Sequence, residues 1–411
     1  MSANLLEDPD YDLFCQQKLR DLYPFFARLR EQDPVHWCAP LNMWLVTRYD
    51  DVFEGLRDTT RLSASREAMY TDPLRPENRP RARPVIEHLN RWLLNVDPPR
   101  HTRLRKLVNL AFTPRFVQRL APRIEQMVHE LLDATCRHER CDFIETFCLP
   151  LPARVICTML GIPPEREEQY RRCVEGMLPF SSAGGPGLND TIDQARACLE
   201  ELIDFFDRLI AERRQAPHDD LISAMAAAEE DGDLLTRDEL FAMCVFLFLA
   251  GHETTMGLLA SGTLALLENP TQFAMLKANL DEMLETAVEE FVRYESSVTR
   301  GARCALVDFN LRGKQIRKGQ TLTHLIGAAN RDPSQFPDPD RLDITRHPNK
   351  HLSFGQGIHF CIGAPLARME AHIAFRAIAT RLPNLQLATD QVTYKPAMGI
   401  RSLEALPVRV S

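Results

Sequence analysis

The chain has 411 residues, of which 45% are hydrophobic and 26% charged, an ordinary balance for a globular protein with a substantial core. Its formal net charge of −8 argues against general affinity for nucleic acid or an anionic membrane. The eleven cysteines are scattered, odd in number and without paired metal-ligand spacing, which fits a reducing cytoplasm. Length alone allows two or three domains, but no linker, repeat or low-complexity stretch divides the chain, so one large domain over residues 1–411 is expected. The acidic N-terminus lacks the apolar run of a signal peptide.

In chain order, Val35 to Cys38 and Met43 to Arg48 read as a hairpin turning through Ala-Pro-Leu-Asn, and Asp50 or Asp51 is expected to cap a short helix ending near Leu56. Residues 65–99 carry six prolines and are expected to be mostly loop. Helical periodicity runs from His101 to about Leu284, broken at Pro163-Pro164 and over residues 181–187. Within it, Phe241 to Gly251 and Met256 to Leu267 are apolar all round, as a central core helix is. His252, Glu253, Thr254 and Thr255 interrupt that run, which argues against a membrane span. The last third mixes helix with strands over Val307 to Leu311, Thr321 to Ile326 and Leu406 to Val410. The expected architecture is mostly α over residues 100–295, with a smaller β-rich region over about 30–65 and 295–411.

Four segments carry chemistry. The first, from Phe354 to Arg368, sets Cys361 between Gly357 and Gly363, two residues after His359 and just before a helix opened by Pro365. The glycines let backbone approach a flat ring system, and the helix start favours thiolate over thiol. The second places Gly251, Glu253 and Thr254 in the middle of the apolar helix. Buried polar groups there are costly unless they have partners, and an adjacent carboxylate and hydroxyl can relay protons. The third is Glu290 with Arg293, an i, i+3 pair that by itself reads as a solvated surface contact. In the fourth, after Pro98-Pro99, His101 and Arg105 share one helix face and can hold a carboxylate.

The string Phe354-x-x-Gly357-x-His359-x-Cys361-x-Gly363 resembles the haem-binding signature of the cytochrome P450 family. Five fixed residue types at these spacings recur by chance in about one chain of this length in ten thousand. Ala250, Gly251, Glu253, Thr254 and Thr255 are similar to the family's oxygen-binding motif, Glu290 and Arg293 to its Glu-x-x-Arg helix, and residues 330–343 to its meander. The resemblance implies the cytochrome P450 fold, with haem b between the long central helix and the cysteine-loop helix. It makes Cys361 the iron ligand and Ala250, Gly251, Phe354 and Gly363 part of the haem pocket. His101, Arg105, Arg303 and His359 fall at its propionate contacts. Thr254 would support a proton-donor network that Glu253 feeds, and Arg341 would complete a buried Glu290-Arg293-Arg341 cluster.

By family position the substrate pocket is lined from residues 65–95 and 175–190, Phe246, Leu249, Ala250, Thr299 and the region of Met398. Arg300, next to that wall, is in reach of a substrate carboxylate or points away. The implied activity is insertion of one oxygen atom from O2 into an apolar small molecule, by hydroxylation or epoxidation, as in bacterial members that tailor secondary metabolites. With no dinucleotide fingerprint or flavin domain in the chain, electrons are expected from a separate ferredoxin and ferredoxin reductase, docking on a basic face that includes Arg103 and Lys106. The alternatives are oxidative coupling or peroxide chemistry on the same haem-thiolate, or a non-catalytic haem sensor. No nucleic acid and no membrane anchor are expected, and the location is cytoplasmic.

Overall fold

The computed structural model describes residues 20–181, 188–230, 232–395 and 399–410. A five-stranded sheet is built from β1 (Val35–Cys38), β2 (Met43–Val46), β3 (Leu62–Ser63), β4 (Gly301–Ala305) and β5 (Thr321–His324), in the order β1-β2-β5-β4-β3. The expected hairpin is present, with Val35 opposite Val46. Its turn is a short 3-10 segment, Ala39–Leu41, closed by Asn42 in the left-handed conformation that asparagine tolerates. β5 runs parallel to β2 and antiparallel to β4, so strands from the first sixth of the chain are joined to strands from its last third.

Three local expectations are corrected. Helix α1 (Tyr49–Arg57) has no cap from Asp50 or Asp51, which lie in its first turn; the Tyr49 N–H instead donates to Asp332 Oδ2 at 2.9 Å. Residues 65–99 hold two helices, α2 (Glu67–Thr71) and α3 (Arg79–Leu89), where mostly loop was expected. Pro80 sits in the first turn of α3, where no N–H is needed, and Pro84 is tolerated inside because Ala82, Val85, Ile86 and Leu89 bury the same face. The strand at residues 301–305 and short pairings at residues 140–142, 229–234 and 314–316 had no legible sequence signal. The observed strands Phe309–Leu311, Thr321–His324 and Pro407–Arg409 are each shorter than expected. The break expected over residues 181–187 lies almost wholly outside the described residues.

Helix α4 (Arg100–Ala111) follows Pro98-Pro99 directly. α5 (Pro150–Leu160) crosses α6 (Arg237–Glu268), the 32-residue helix around which the core is built. Thr236 and Glu239 close α6 at its start with a reciprocal capping box. α6 is the one helix among the described residues long and apolar enough to cross a membrane, and 78% of its most apolar window is buried inside the fold. Two of its glycines set the packing distance. A Cβ on Gly251 would lie 2.9 Å from Ile156 of α5, and one on Gly262 would lie 2.5 Å from Phe375 of the cysteine helix. α7 (Leu280–Tyr294) and α8 (Ala364–Arg381) also pack on α6, and α8 opens shortly after Cys361.

Candidate active site

Between α6 and the cysteine loop lies a cavity of about 340 Å³. Its floor is Phe354, His359, Cys361 and Gly363; its opposite wall is Phe246, Leu249, Ala250, Gly251 and Thr254. Cys361 is the cysteine that reaches it among the described residues. The loop takes its shape from Gly355 and Gly357, both at positive φ (72° and 68°), and a Cβ on Gly357 would meet the Arg57 backbone at 3.1 Å. The Cys361 amide donates to the Phe354 carbonyl at 2.8 Å, which closes the loop around the sulfur. Burial pushes the Cys361 thiol up, opposed by the amides of Gly363 and Ala364 and the charges of Arg105 and Arg368. Those groups stabilise a thiolate, and coordination to a metal would complete the deprotonation.

One end of the cavity is cationic. The His101 and His359 rings lie 4.4 Å apart, centroid to centroid, and the Nε2 of each is buried without a hydrogen-bond partner among the described residues. Arg105 and Arg303 line the cavity beside His359. Burial, then neighbouring arginine and histidine charge, pushes His359 down to about 2, and burial with the Arg66 charge pushes Arg303 down to about 10. Orphaned imidazole nitrogens and desolvated guanidiniums at one point form an anion cradle, and two carboxylates would satisfy it. A flat ring system with a sulfur beneath its centre and two carboxylates at one edge fits this donor set.

Thr254 lines the cavity and its Oγ1 donates to the Ala250 carbonyl at 2.6 Å, a back-bond of the kind that bends helices. Glu253 lies behind it, buried and off the cavity wall. Its Oε1 accepts from Ser402 Oγ at 3.0 Å and Lys395 Nζ at 3.4 Å, while Oε2 has no partner among the described residues. His252 is buried against Phe248 and pushed down to about 4 by that burial, a neutral core histidine. Lys395 and Ser402 lie about 150 residues beyond Glu253 in the chain, and no spacing rule signals them.

Thr299 is displaced from its expected place. Its backbone N–H donates to the Gly399 carbonyl, and its neighbours Val298 and Arg300 line the cavity instead. Met398 lies outside the described residues.

The Glu290-Arg293 pair is fully buried, with Nε to Oε2 at 2.7 Å and Nη2 to Oε1 at 2.8 Å. Arg341 is not its third member, because the Arg341 side chain is exposed and only its carbonyl touches Arg293. Arg346 fills that role, its Nε 3.2 Å from Glu290 Oε2, with Asn349 Nδ2 donating to the same oxygen at 3.0 Å. Both arginines sit on the same irregular segment, and sequence spacing does not distinguish which one turns inward. A second arginine, Arg368 of α8, stacks on Phe354 at 4.5 Å and binds Glu289, and so ties the cysteine helix to α7. Arg103, expected on an open basic face, is instead engaged by Asp233 and Glu239.

The family profile described as Cytochrome P450 matches residues 58–398. The chain belongs to the cytochrome P450 family. It is 40% identical over 95% of its length, and 96% of the relative's, to the polyketide biosynthesis cytochrome P450 PksS of Bacillus subtilis (strain 168). It is 36% identical to the mycinamicin IV hydroxylase/epoxidase of Micromonospora griseorubida, with 93% and 94% covered. Among solved structures, P450BioI in complex with an acyl carrier protein bearing hexadec-9Z-enoic acid superposes with a TM-score of 0.89 at 35% identity, covering 96% of this chain and 99% of that one. This P450 is therefore a haem-thiolate monooxygenase that works with O2, a substrate and a redox partner. Its cofactor is haem b, ligated by Cys361.

Proposed function

We propose that this P450 inserts one oxygen atom into a C–H or C=C bond of an apolar small molecule, in the tailoring of a secondary metabolite. The observation that carries this reading is the apolar lining that Phe246, Leu249, Met159 and Leu93 give the cavity, into which Thr254 also faces. Haem b, when bound through the thiolate, supplies the activation of dioxygen. The apolar wall holds substrate and excludes water. His101, Arg105, Arg303 and His359 hold the two propionates. Thr254 positions a proton donor at its Oγ1, and Glu253 replenishes that donor from a carboxylate restrained by Ser402 and Lys395. Relatives named for polyketide biosynthesis and for the hydroxylation or epoxidation of mycinamicin IV support the substrate class.

A separate ferredoxin and its reductase deliver the two electrons in the cytoplasm. The docking surface is the proximal side, where Phe360 and Ile358 of the cysteine loop are exposed. Turnover of a library hit by purified holoenzyme, ferredoxin and reductase under isotopically labelled O2 tests the proposal. One labelled oxygen in the product is expected. Full turnover with hydrogen peroxide alone, without electron donor, would overturn it.

A further inference from the structure

The C-terminal stretch from Gly399 to Leu403 touches both the cavity and the acid behind its wall. Gly399 and Ile400 line the cavity, and Ser402, two residues further on, donates from Oγ to Glu253 Oε1 at 3.0 Å. Lys395 Nζ reaches the same oxygen at 3.4 Å. Lys395 is fastened to the same stretch, because its N–H donates to the Ser402 carbonyl at 2.9 Å and Tyr394 bridges to Leu403. Both groups that hold the Glu253 carboxylate are therefore tied to residues that form one wall of the cavity.

The stretch is wedged in place. Ile400 bridges to Val298, the Thr299 N–H donates to the Gly399 carbonyl at 3.2 Å, and the Arg401 N–H donates to the Ser297 carbonyl at 2.8 Å. Gly257 of α6, one turn beyond Glu253, gives these strands room: a Cβ there would stand 3.3 Å from the Arg401 carbonyl oxygen and 2.9 Å from Ser297 Oγ. With packing this close, a displacement at Ile400 is passed on to Ser402 and is not absorbed in slack. The Glu253 Oε2 is buried with no hydrogen-bond partner among the described residues, so Ser402 and Lys395 hold the carboxylate through Oε1. Both contacts must lengthen before that carboxylate can swing to the cavity side of α6, where Thr254 stands.

We infer that this stretch couples occupancy of the cavity to proton supply: a molecule seated against Gly399 and Ile400 shifts Ser402 and Lys395 and frees the Glu253 carboxylate. This rests on the monooxygenase reading above and adds a regulation of the same site. Lys395 and Ser402 are positioning residues, and Ile400 is the contact that senses the occupant. The Lys395 side chain is 41% exposed and that of Glu253 only 6%, so the acid meets solvent at its Lys395 end, away from the cavity. An empty cavity leaves the acid held back, and protons are delivered when there is a substrate to oxidise.

By linkage, a ligand that loosens this hold must bind more tightly once the hold is removed. The test is an absorption titration of the ferric holoenzyme with imidazole, which occupies the iron, and with clotrimazole, an azole whose aromatic rings also fill the cavity. Lys395→Met should tighten clotrimazole binding by about fivefold or more and leave imidazole unchanged. Ser402→Ala should act in the same direction, and Lys395→Arg should restore the unsubstituted value. Ile400→Ala should cancel the effect of Lys395→Met in the double variant. A Lys395→Met effect that is equal on both azoles, absent from both, or undiminished by Ile400→Ala would overturn the inference. So would substrate-free turnover with ferredoxin and reductase in which Lys395→Met releases no more hydrogen peroxide than the unsubstituted enzyme. Failure of the underlying reading looks different: no compound would give an oxygen-dependent product, even with the titrations as expected.

Discussion

Arg368 grips Glu289 through both carboxylate oxygens, Nε to Oε1 at 2.6 Å and Nη2 to Oε2 at 2.8 Å, while His351 Nε2 meets Oε2 from the other side at 3.1 Å. Burial raises the Glu289 carboxyl, but these two partners more than reverse it and hold it at about 2, against an ordinary 4.5. A depressed carboxyl stabilises the fold fully above 4.5 and loses that contribution as pH falls towards 2, worth about 3 kcal/mol in all. Buried His88 and His324, each lowered to about 3 mainly by desolvation, start the decline earlier, because the unfolded chain takes up their protons below 6.5. Urea unfolding at stepped pH should show stability falling below 6.5 and more steeply below 4.5. Glu289→Gln should flatten the lower part and leave the upper; an unchanged profile would show that the pair contributes nothing.

Arg346 and Arg341 should separate cleanly. Arg346→Ala leaves Glu290 with less charge compensation at a fully buried position, and a loss of about 3 kcal/mol is expected with weakened haem retention. Arg341→Ala removes an exposed side chain and should change stability by no more than about 0.5 kcal/mol. Thermal melts and haem-to-protein ratios of the two variants decide between them.

Gly262→Ala tests the contact between α6 and the cysteine helix. The new methyl meets Phe375 Cζ at 2.5 Å, and that ring is buried and backed by Phe291, 4.7 Å away centroid to centroid. A destabilisation of about 1–3 kcal/mol by denaturant titration is expected from overpacking.

For the chemistry, Cys361→Ser should fold yet lose the strongly red-shifted Soret band of the reduced carbon-monoxide complex. Thr254→Ala should lower oxygen-dependent product while hydrogen peroxide release rises, measured as product formed per reducing equivalent consumed. Ser402→Ala removes a hydroxyl that donates to Glu253 and should alter the same ratio more weakly.

The cysteine loop and the central helix were legible because each depends on residues close together in the chain, whereas the Glu290-Arg293 spacing alone read as a surface contact and only the family resemblance implied its burial. What could not be read depends on distant partners. Asp332 caps a helix that Asp50 and Asp51 only flank, and Lys395 and Ser402 restrain Glu253 from the last strand region. α3 was hidden by its prolines, whose local cost is overridden by burial of Val85 and Leu89. Thr299 and Arg300 are adjacent, and only the bonding of Thr299 N–H to Gly399 shows which of them turns to the cavity.

The cap on α1 has a consequence for biogenesis. Tyr49 emerges from the ribosome 283 residues before the Asp332 that completes its helix start, and β2 likewise waits for β5. The N-terminal quarter therefore cannot reach its final arrangement while the chain is still being elongated through the helical portion. Until then its strand edges stay open to pairing with neighbouring nascent chains, so slower expression or abundant chaperone should raise the yield of haem-competent protein.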